Sequence, residues 1–129
     1  MNSRHTLGHA GLFGATGIAL GALGTHALAA FLAERGVTHM WETAAHYQLF
    51  HAIALLGVAT WQRSAKGAAA SRAGWAARCW SAGIWLFSGS LYGLAAGGPR
   101  WLGLVTAIGG ITLMAGWACV FAAAITKEE

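Results

Sequence analysis

The charged residues of this chain stand far apart, and the uncharged stretches between them constrain its fold more than any other feature. Arg4 to Glu34 encloses 29 uncharged positions, Glu42 to Arg63 encloses 20, Arg78 to Arg100 encloses 21, and Arg100 to Lys127 encloses 26. A hydrocarbon layer about 30 Å thick takes roughly 20 helical residues to cross, at about 1.5 Å each. All four windows are long enough. Lipid offers no partner to peptide N–H and C=O groups, so windows of this kind must coil into helices. The fold expected is all-α, an integral membrane bundle of four antiparallel transmembrane helices. The spans fall at about residues 7–29, 42–62, 74–96 and 101–124, and residues 1–129 form a single four-span membrane domain.

Composition points the same way. Of the residues 57% are hydrophobic and 9% charged, against roughly 25% charged in an ordinary soluble domain, which excludes a free-standing water-soluble globule. The acids are Glu34, Glu42, Glu128 and Glu129, with no aspartate, so chemistry based on paired buried carboxylates has almost nothing to draw on. Phe31 to Trp41 reads as an interfacial turn, with Thr38 as N-cap of the second helix and Glu42 complementing its positive end. Arg63 to Arg72 is small, polar and basic, hence a solvated loop, and Gly97-Gly98-Pro99-Arg100 is a tight turn.

Short loops rich in Lys and Arg stay on the cytoplasmic side. One face collects Arg4, Arg63, Lys66, Arg72, Arg78 and Lys127, and the other only Arg35 and Arg100. Both termini are therefore expected in the cytoplasm, in a multi-pass protein of the inner (plasma) membrane. The net charge of +4 reflects this topology and contact with anionic lipid. No nucleic-acid partner is expected, because the aromatics sit in or beside the spans. Trp41 and Trp101 fall at the outer boundary and Trp61, Trp75 and Trp80 near the inner one, where amphipathic rings settle; Trp85 and Trp117 are deeper packing residues. Ala27-Leu28-Ala29 has the look of a signal-peptidase site, but the segment before it exceeds an ordinary signal core and is read as a true span.

Gly8, Gly11, Gly14, Gly17, Gly21 and Gly24 recur every three or four residues down the first helix. Gly89, Gly93 and Gly97 repeat the pattern on the third, and Gly103, Gly109, Gly110 and Gly116 loosen the fourth. Such faces pack helices within one subunit or seam a homo-oligomer. Cys79 and Cys119 read as small apolar fillers in a reducing compartment. No CxxC, HExxH or phosphate-binding loop occurs, and Ser88-Gly89-Ser90 only superficially resembles a nucleophile elbow.

What remains is an uneven set of polar side chains in the outer half. Glu42 and His46 are four apart on one face of the second helix, and Tyr47 and His51 four apart on another, with Gln48 beside them. His51 lies nine residues from Glu42, about 14 Å along the axis and near the middle of the bilayer. Ser88 reaches a similar depth from the other side, Ser90 and Tyr92 climb outward, Thr25 and His26 finish the first helix, and Thr106 begins the fourth. A polar group facing hydrocarbon without a partner is disfavoured by several kcal/mol, so these groups should face other helices or trapped water. Two readings stand side by side. In one they are interhelical hydrogen bonds; in the other they line a polar pocket, made of His26, Glu42, His46, Tyr47, Gln48, His51, Ser88, Ser90, Tyr92 and Thr106. Within a pocket, His26, His46 and Glu42, joined by His39, are the candidate ligands of a transition metal. His5 and His9 solvate the opposite membrane boundary.

Several strings resemble a known family: Gly21-Ala22-Leu23-Gly24-Thr25-His26-Ala27-Leu28; Trp41-Glu42-Thr43-Ala44 running into Tyr47-Gln48 and His51-Ala52; Phe87-Ser88-Gly89-Ser90-Leu91-Tyr92; Thr106-Ala107-Ile108-Gly109-Gly110; and Gly116-Trp117. They resemble the YgdD/YwdK type of small bacterial membrane protein, domain of unknown function family 423, which is similar to the eukaryotic transmembrane protein 256. Ala107 stands where the family usually has proline, which removes the reason to expect a kink there. The resemblance implies a four-span inner-membrane protein with no established activity or cofactor, and its motif positions include His26, Tyr47, Gln48, His51, Ser88, Ser90 and Tyr92. The function expected is a non-enzymatic binding or structural membrane protein, with no cofactor, that binds a partner, lipid or quinone-like molecule or packs as a homo-oligomer through its glycine faces. The alternative is a small permease or channel for a metal ion, proton or small solute, weakened by the lack of an ionisable acid at mid-depth. An enzyme comes third, because nothing positions a substrate.

Overall fold

The computed structural model describes residues 1–126; Lys127, counted above toward the basic face, lies outside the described residues with Glu128 and Glu129. The described residues form α1 (Ser3–Thr25), α2 (Ala29–Glu34), α3 (Thr38–Ser64), α4 (Gly67–Ala95) and α5 (Leu102–Ile125), with no strand among them. The protein is all-helical. α1 lies along α3, α3 along α4, and α4 along α5, each antiparallel to its neighbour.

Small residues decide how closely these helices approach. Gly17 abuts Leu49 and Gln48 of α3, and Gly24 abuts Trp41. On the other side of the molecule Gly83 abuts Leu113, Gly116 abuts Trp80, and Gly109 lies directly against the backbone of Phe87. Alanines then let larger side chains close the gaps: Ala10, Ala52, Ala73, Ala76 and Ala77 are buried around Phe13, Leu55, Trp80 and Leu113. A second, smaller core forms at one end, where the short α2 drops a fully buried Leu32 onto Trp41 and Ala95, with Leu20, Leu28 and Tyr92 around it. Outward faces carry large apolar side chains, among them Ile18 on α1, Phe50 and Ile53 on α3, Trp85 on α4 and Ile111 and Phe121 on α5.

Several local expectations give way to stronger physical terms. The first helix ends at Thr25, and residues up to Trp41, expected as a turn, contain α2 and the N-terminus of α3. Burial of Leu32 drives this: a six-residue helix gains from packing what it lacks in length. Thr38 is the first helical residue of α3 rather than its N-cap, and Val37 at the cap contributes no side-chain bond. The loop expected over Arg63 to Arg72 shrinks to Ala65 and Lys66 between α3 and α4, because Ala68-Ala69-Ala70 are the strongest helix formers. The turn at Gly97 needs a positive φ, +96°, which glycine adopts without strain.

The glycine stripe of α1 also proves to be two features. Each three-residue step falls about 60° short of a full turn, so from Gly8 to Gly17 the stripe drifts half-way round the helix. Gly17 and Gly24 therefore meet α3, while a side chain at Gly8, Gly11 or Gly14 would meet nothing within 4 Å. Gly109 and Gly116, expected to loosen the last helix, instead bind it tightly to α4, and Gly89, expected to pack, faces open space.

Candidate functional site

Gln48 is the hub of the polar cluster. Its position on α3, between the faces turned to α1 and α4, lets one buried amide serve three helices. Nε2 donates to the Phe13 carbonyl at 3.0 Å and to Thr16 Oγ1 at 2.8 Å, and Oε1 accepts from the Tyr92 hydroxyl at 2.9 Å. One turn away on the α4 side, Ser88 Oγ donates to the Ala44 carbonyl at 2.7 Å. At the α2 end, Trp41 Nε1 donates to the Leu20 carbonyl at 2.8 Å.

His51 ties α3 to α5. Its Nδ1 lies 2.8 Å from the Tyr47 carbonyl, and its Nε2 accepts from Trp117 Nε1 at 3.1 Å. A carbonyl oxygen can only accept and an indole N–H can only donate, so this geometry needs the neutral ring with its hydrogen on Nδ1. Around it Trp80 and Trp117 lie 4.6 Å apart between ring centroids, and Tyr47 stacks on the imidazole at 6.2 Å. Trp80 Nε1 donates to the Leu113 carbonyl at 3.2 Å. Ser90 Oγ sits 2.5 Å from Thr106 Oγ1, joining α4 to α5, and Ser90 also donates to the Phe87 carbonyl at 3.0 Å.

The ten candidate residues thus divide. Gln48, His51, Ser88, Ser90, Tyr92 and Thr106 are buried or half-buried and bonded to neighbouring helices, and Tyr47 lends its ring and carbonyl to His51. His26, Glu42 and His46 are exposed. His26 caps α1, whereas Glu42 and His46 share an outward face of α3, where His46 stacks on Phe50 at 6.1 Å. No three His, Cys, Asp or Glu side chains converge as metal ligands among the described residues, so His26 does not complete a set with Glu42 and His46 in one chain.

Three of the seven tryptophans sit otherwise than expected. Trp41 and Trp80, expected in boundary belts, are 6% and 1% exposed and hydrogen-bonded to backbone, while Trp85, expected to pack inside, is 65% exposed. Half-exposed Trp117 is a site residue, and its place in the Gly116-Trp117 string was the available signal. His9, expected to solvate a boundary, approaches Ser81 Oγ at 2.9 Å from Nδ1 and so joins α1 to α4. Beside Gln48 and Tyr92 runs a cleft of about 220 Å³ between α1 and α4, walled by Leu12, Phe13, Leu20, Ile84 and Trp85.

These features define a class: a small all-helical protein that turns large apolar side chains outward and bonds polar ones inward, with α1 and α5 long and apolar enough to cross a membrane. The chain belongs to the family described as "Protein of unknown function (DUF423)", whose sequence profile matches residues 20–110. It is similar to the UPF0382 inner membrane protein YgdD of Escherichia coli (strain K12), at 37% identity over 131 residues covering 100% of this chain and 95% of that protein. A UPF0382 membrane protein of Staphylococcus haemolyticus is 35% identical over 100 residues, 78% of either chain. No solved structure matches. The chain is an inner membrane protein with transmembrane helices, and neither relative's name assigns an enzymatic activity.

Proposed function

We propose that the chain is a four-span scaffold of the inner membrane, without catalytic activity of its own, whose polar residues fasten its helices together and whose outward faces are left for partners. The observation that carries this reading is that Gln48, His51, Ser88 and Tyr92 all bond to protein groups, and that the cleft which Gln48 and Tyr92 border is otherwise mostly apolar. α1, α3, α4 and α5 have 23, 27, 29 and 24 residues, about 34–44 Å at 1.5 Å per residue, enough for a 30 Å layer. α3 and α4 are less apolar overall: Gln48, His51, Ser81, Ser88 and Ser90 point inward, Glu42, His46 and Arg78 are exposed, and Phe50, Ile53, Trp75 and Trp85 point outward. α1 is bonded to α3 and α4 through Leu20, Phe13 and His9, which supports its retention as a span rather than removal as a leader. Arg4, Arg63, Lys66, Arg72 and Arg78 collect at one end and Arg35 and Arg100 at the other, which supports cytoplasmic termini.

A permease needs a wetted path. The cleft beside Gln48 is walled by apolar side chains, and Leu32 fills the α2 end, so neither favours conduction. Two measurements test the reading. With Cys79 and Cys119 replaced by alanine, Ser64→Cys should be labelled from the cytoplasmic side of sealed vesicles and Ala96→Cys, exposed in the turn between α4 and α5, from the other. The protein reconstituted in liposomes should pass no ion or solute; saturable uptake abolished by Gln48→Leu would overturn the scaffold reading.

A further inference from the structure

The outward face of α3 is left bare by the fold, and it is not purely apolar. Glu42 and His46, one helical turn apart, are exposed on it, and neither finds a hydrogen-bond partner among the described residues. The same face continues through Phe50 and Ile53, 60% and 69% exposed, to the exposed Gly57, where a side chain would meet nothing within 4 Å. Thr43, His46, Phe50, Ile53, Gly57 and Thr60 follow one another at alternating steps of three and four, the spacing of a helix–helix seam. If α3 spans the membrane, its centre is His51, which puts His46 about 7–8 Å and Glu42 about 13–14 Å from the midplane. Both then fall within the roughly 15 Å half-thickness of the hydrocarbon, where an imidazole and a carboxylate without partners are strongly disfavoured.

We infer that a second copy of this chain covers this face, and that Glu42 and His46 from the two copies together hold one divalent transition ion. The inference rests on the four-span reading. Two copies inserted in the same direction are related by an axis along the membrane normal, so the seam is self-complementary and like residues meet at like depth. Glu42 then faces Glu42, an arrangement that repels until a cation lies between. A glutamate and a histidine four residues apart project from the same side of a helix, and each chain so presents one oxygen and one nitrogen ligand. A single chain stops there, since no third His, Cys, Asp or Glu converges on them among the described residues. The symmetric copy completes a set of two oxygens and two nitrogens, the number and type that a tetrahedral zinc ion accepts.

The test uses the full chain in detergent micelles with zinc alone as the probe, reading metal by chelator competition and molar mass by light scattering. One zinc per two chains, with the mass doubling as zinc is added, is expected. Glu42→Gln and His46→Gln should each abolish both effects, and His26→Gln should leave them intact. In native membranes, with Cys79 and Cys119 replaced by alanine, Ile53→Cys should cross-link between copies and Ile111→Cys, on the exposed side of α5, should not. One zinc per chain at monomer mass, or zinc binding that survives both substitutions, would overturn the metal site. Cross-linking through Ile111→Cys in place of Ile53→Cys would overturn the interface. Any of these with the protein still requiring detergent counts against this inference alone; a chain that dissolves without detergent counts against the four-span reading.

Discussion

Gln48→Leu removes the one side chain that joins α1, α3 and α4, and its cost can be worked from the bonds it makes. Three hydrogen bonds are lost, to the Phe13 carbonyl, to Thr16 Oγ1 and from the Tyr92 hydroxyl. Interhelical hydrogen bonds in membranes average about 0.6 kcal/mol each, so their removal amounts to about 2 kcal/mol. The Phe13 carbonyl and Thr16 hydroxyl keep bonds within α1, but the Tyr92 hydroxyl loses the one acceptor it has among the described residues and adds about 1 kcal/mol as an unsatisfied half-buried group. A loss of about 3 kcal/mol is expected, of which Tyr92→Phe alone should reproduce about 1. The assay is reversible unfolding in mixed micelles, titrating a denaturing detergent and following helicity and tryptophan fluorescence. A cycle of Gln48→Leu, Tyr92→Phe and the double variant isolates the pair: the double variant strands no hydroxyl and should cost about 2 kcal/mol, so the two single losses should fall short of additivity by about 2 kcal/mol. If Gln48→Leu unfolds with the wild type, or the two changes add without coupling, then the cluster does not hold the helices together and the scaffold reading loses its support.

Three further expectations follow from the same packing. Gly109→Ala drives a methyl group into the Phe87 backbone, which cannot swing aside, and should cost about 1–3 kcal/mol in the same titration. Gly11→Ala, whose new methyl meets nothing, should be neutral or stabilising by up to about 1 kcal/mol. His51→Leu should lower stability and at the same time change the fluorescence of Trp117 by removing its acceptor. Trp117→Phe added to His51→Leu should then cost little more, and full additivity would show that the two side chains act separately.

How much of this was legible beforehand depended on which force was at work. Helical character and the positions of Gln48, His51 and Ser88 could be read from the uncharged windows and from depth, because lipid penalises peptide groups and polar side chains by fixed rules. The roles of Trp41 and Trp80 could not. A tryptophan prefers an interface and a partner for its N–H, and only the close approach of helices at Gly24 and Gly116 decides that the partner wins. α2 was invisible for a related reason: nothing in Ala29–Glu34 marks a helix until Leu32 has a cavity to fill. The separation of Glu42 and His46 from the inward cluster turns on a rotation about the axis of α3, which spacing alone does not set.

Trp41, Gln48, Trp80 and Ser88 all donate across helices to main-chain oxygens, those of Leu20, Phe13, Leu113 and Ala44. An oxygen of the main chain survives any substitution of the residue that bears it. Half of every such clasp is therefore immune to point mutation, and drift at Phe13, Leu20, Ala44 or Leu113 can alter the fit of neighbouring side chains but never delete a receptor. At these four clasps the specification is in that sense one-sided, written at the donor and merely read at the acceptor.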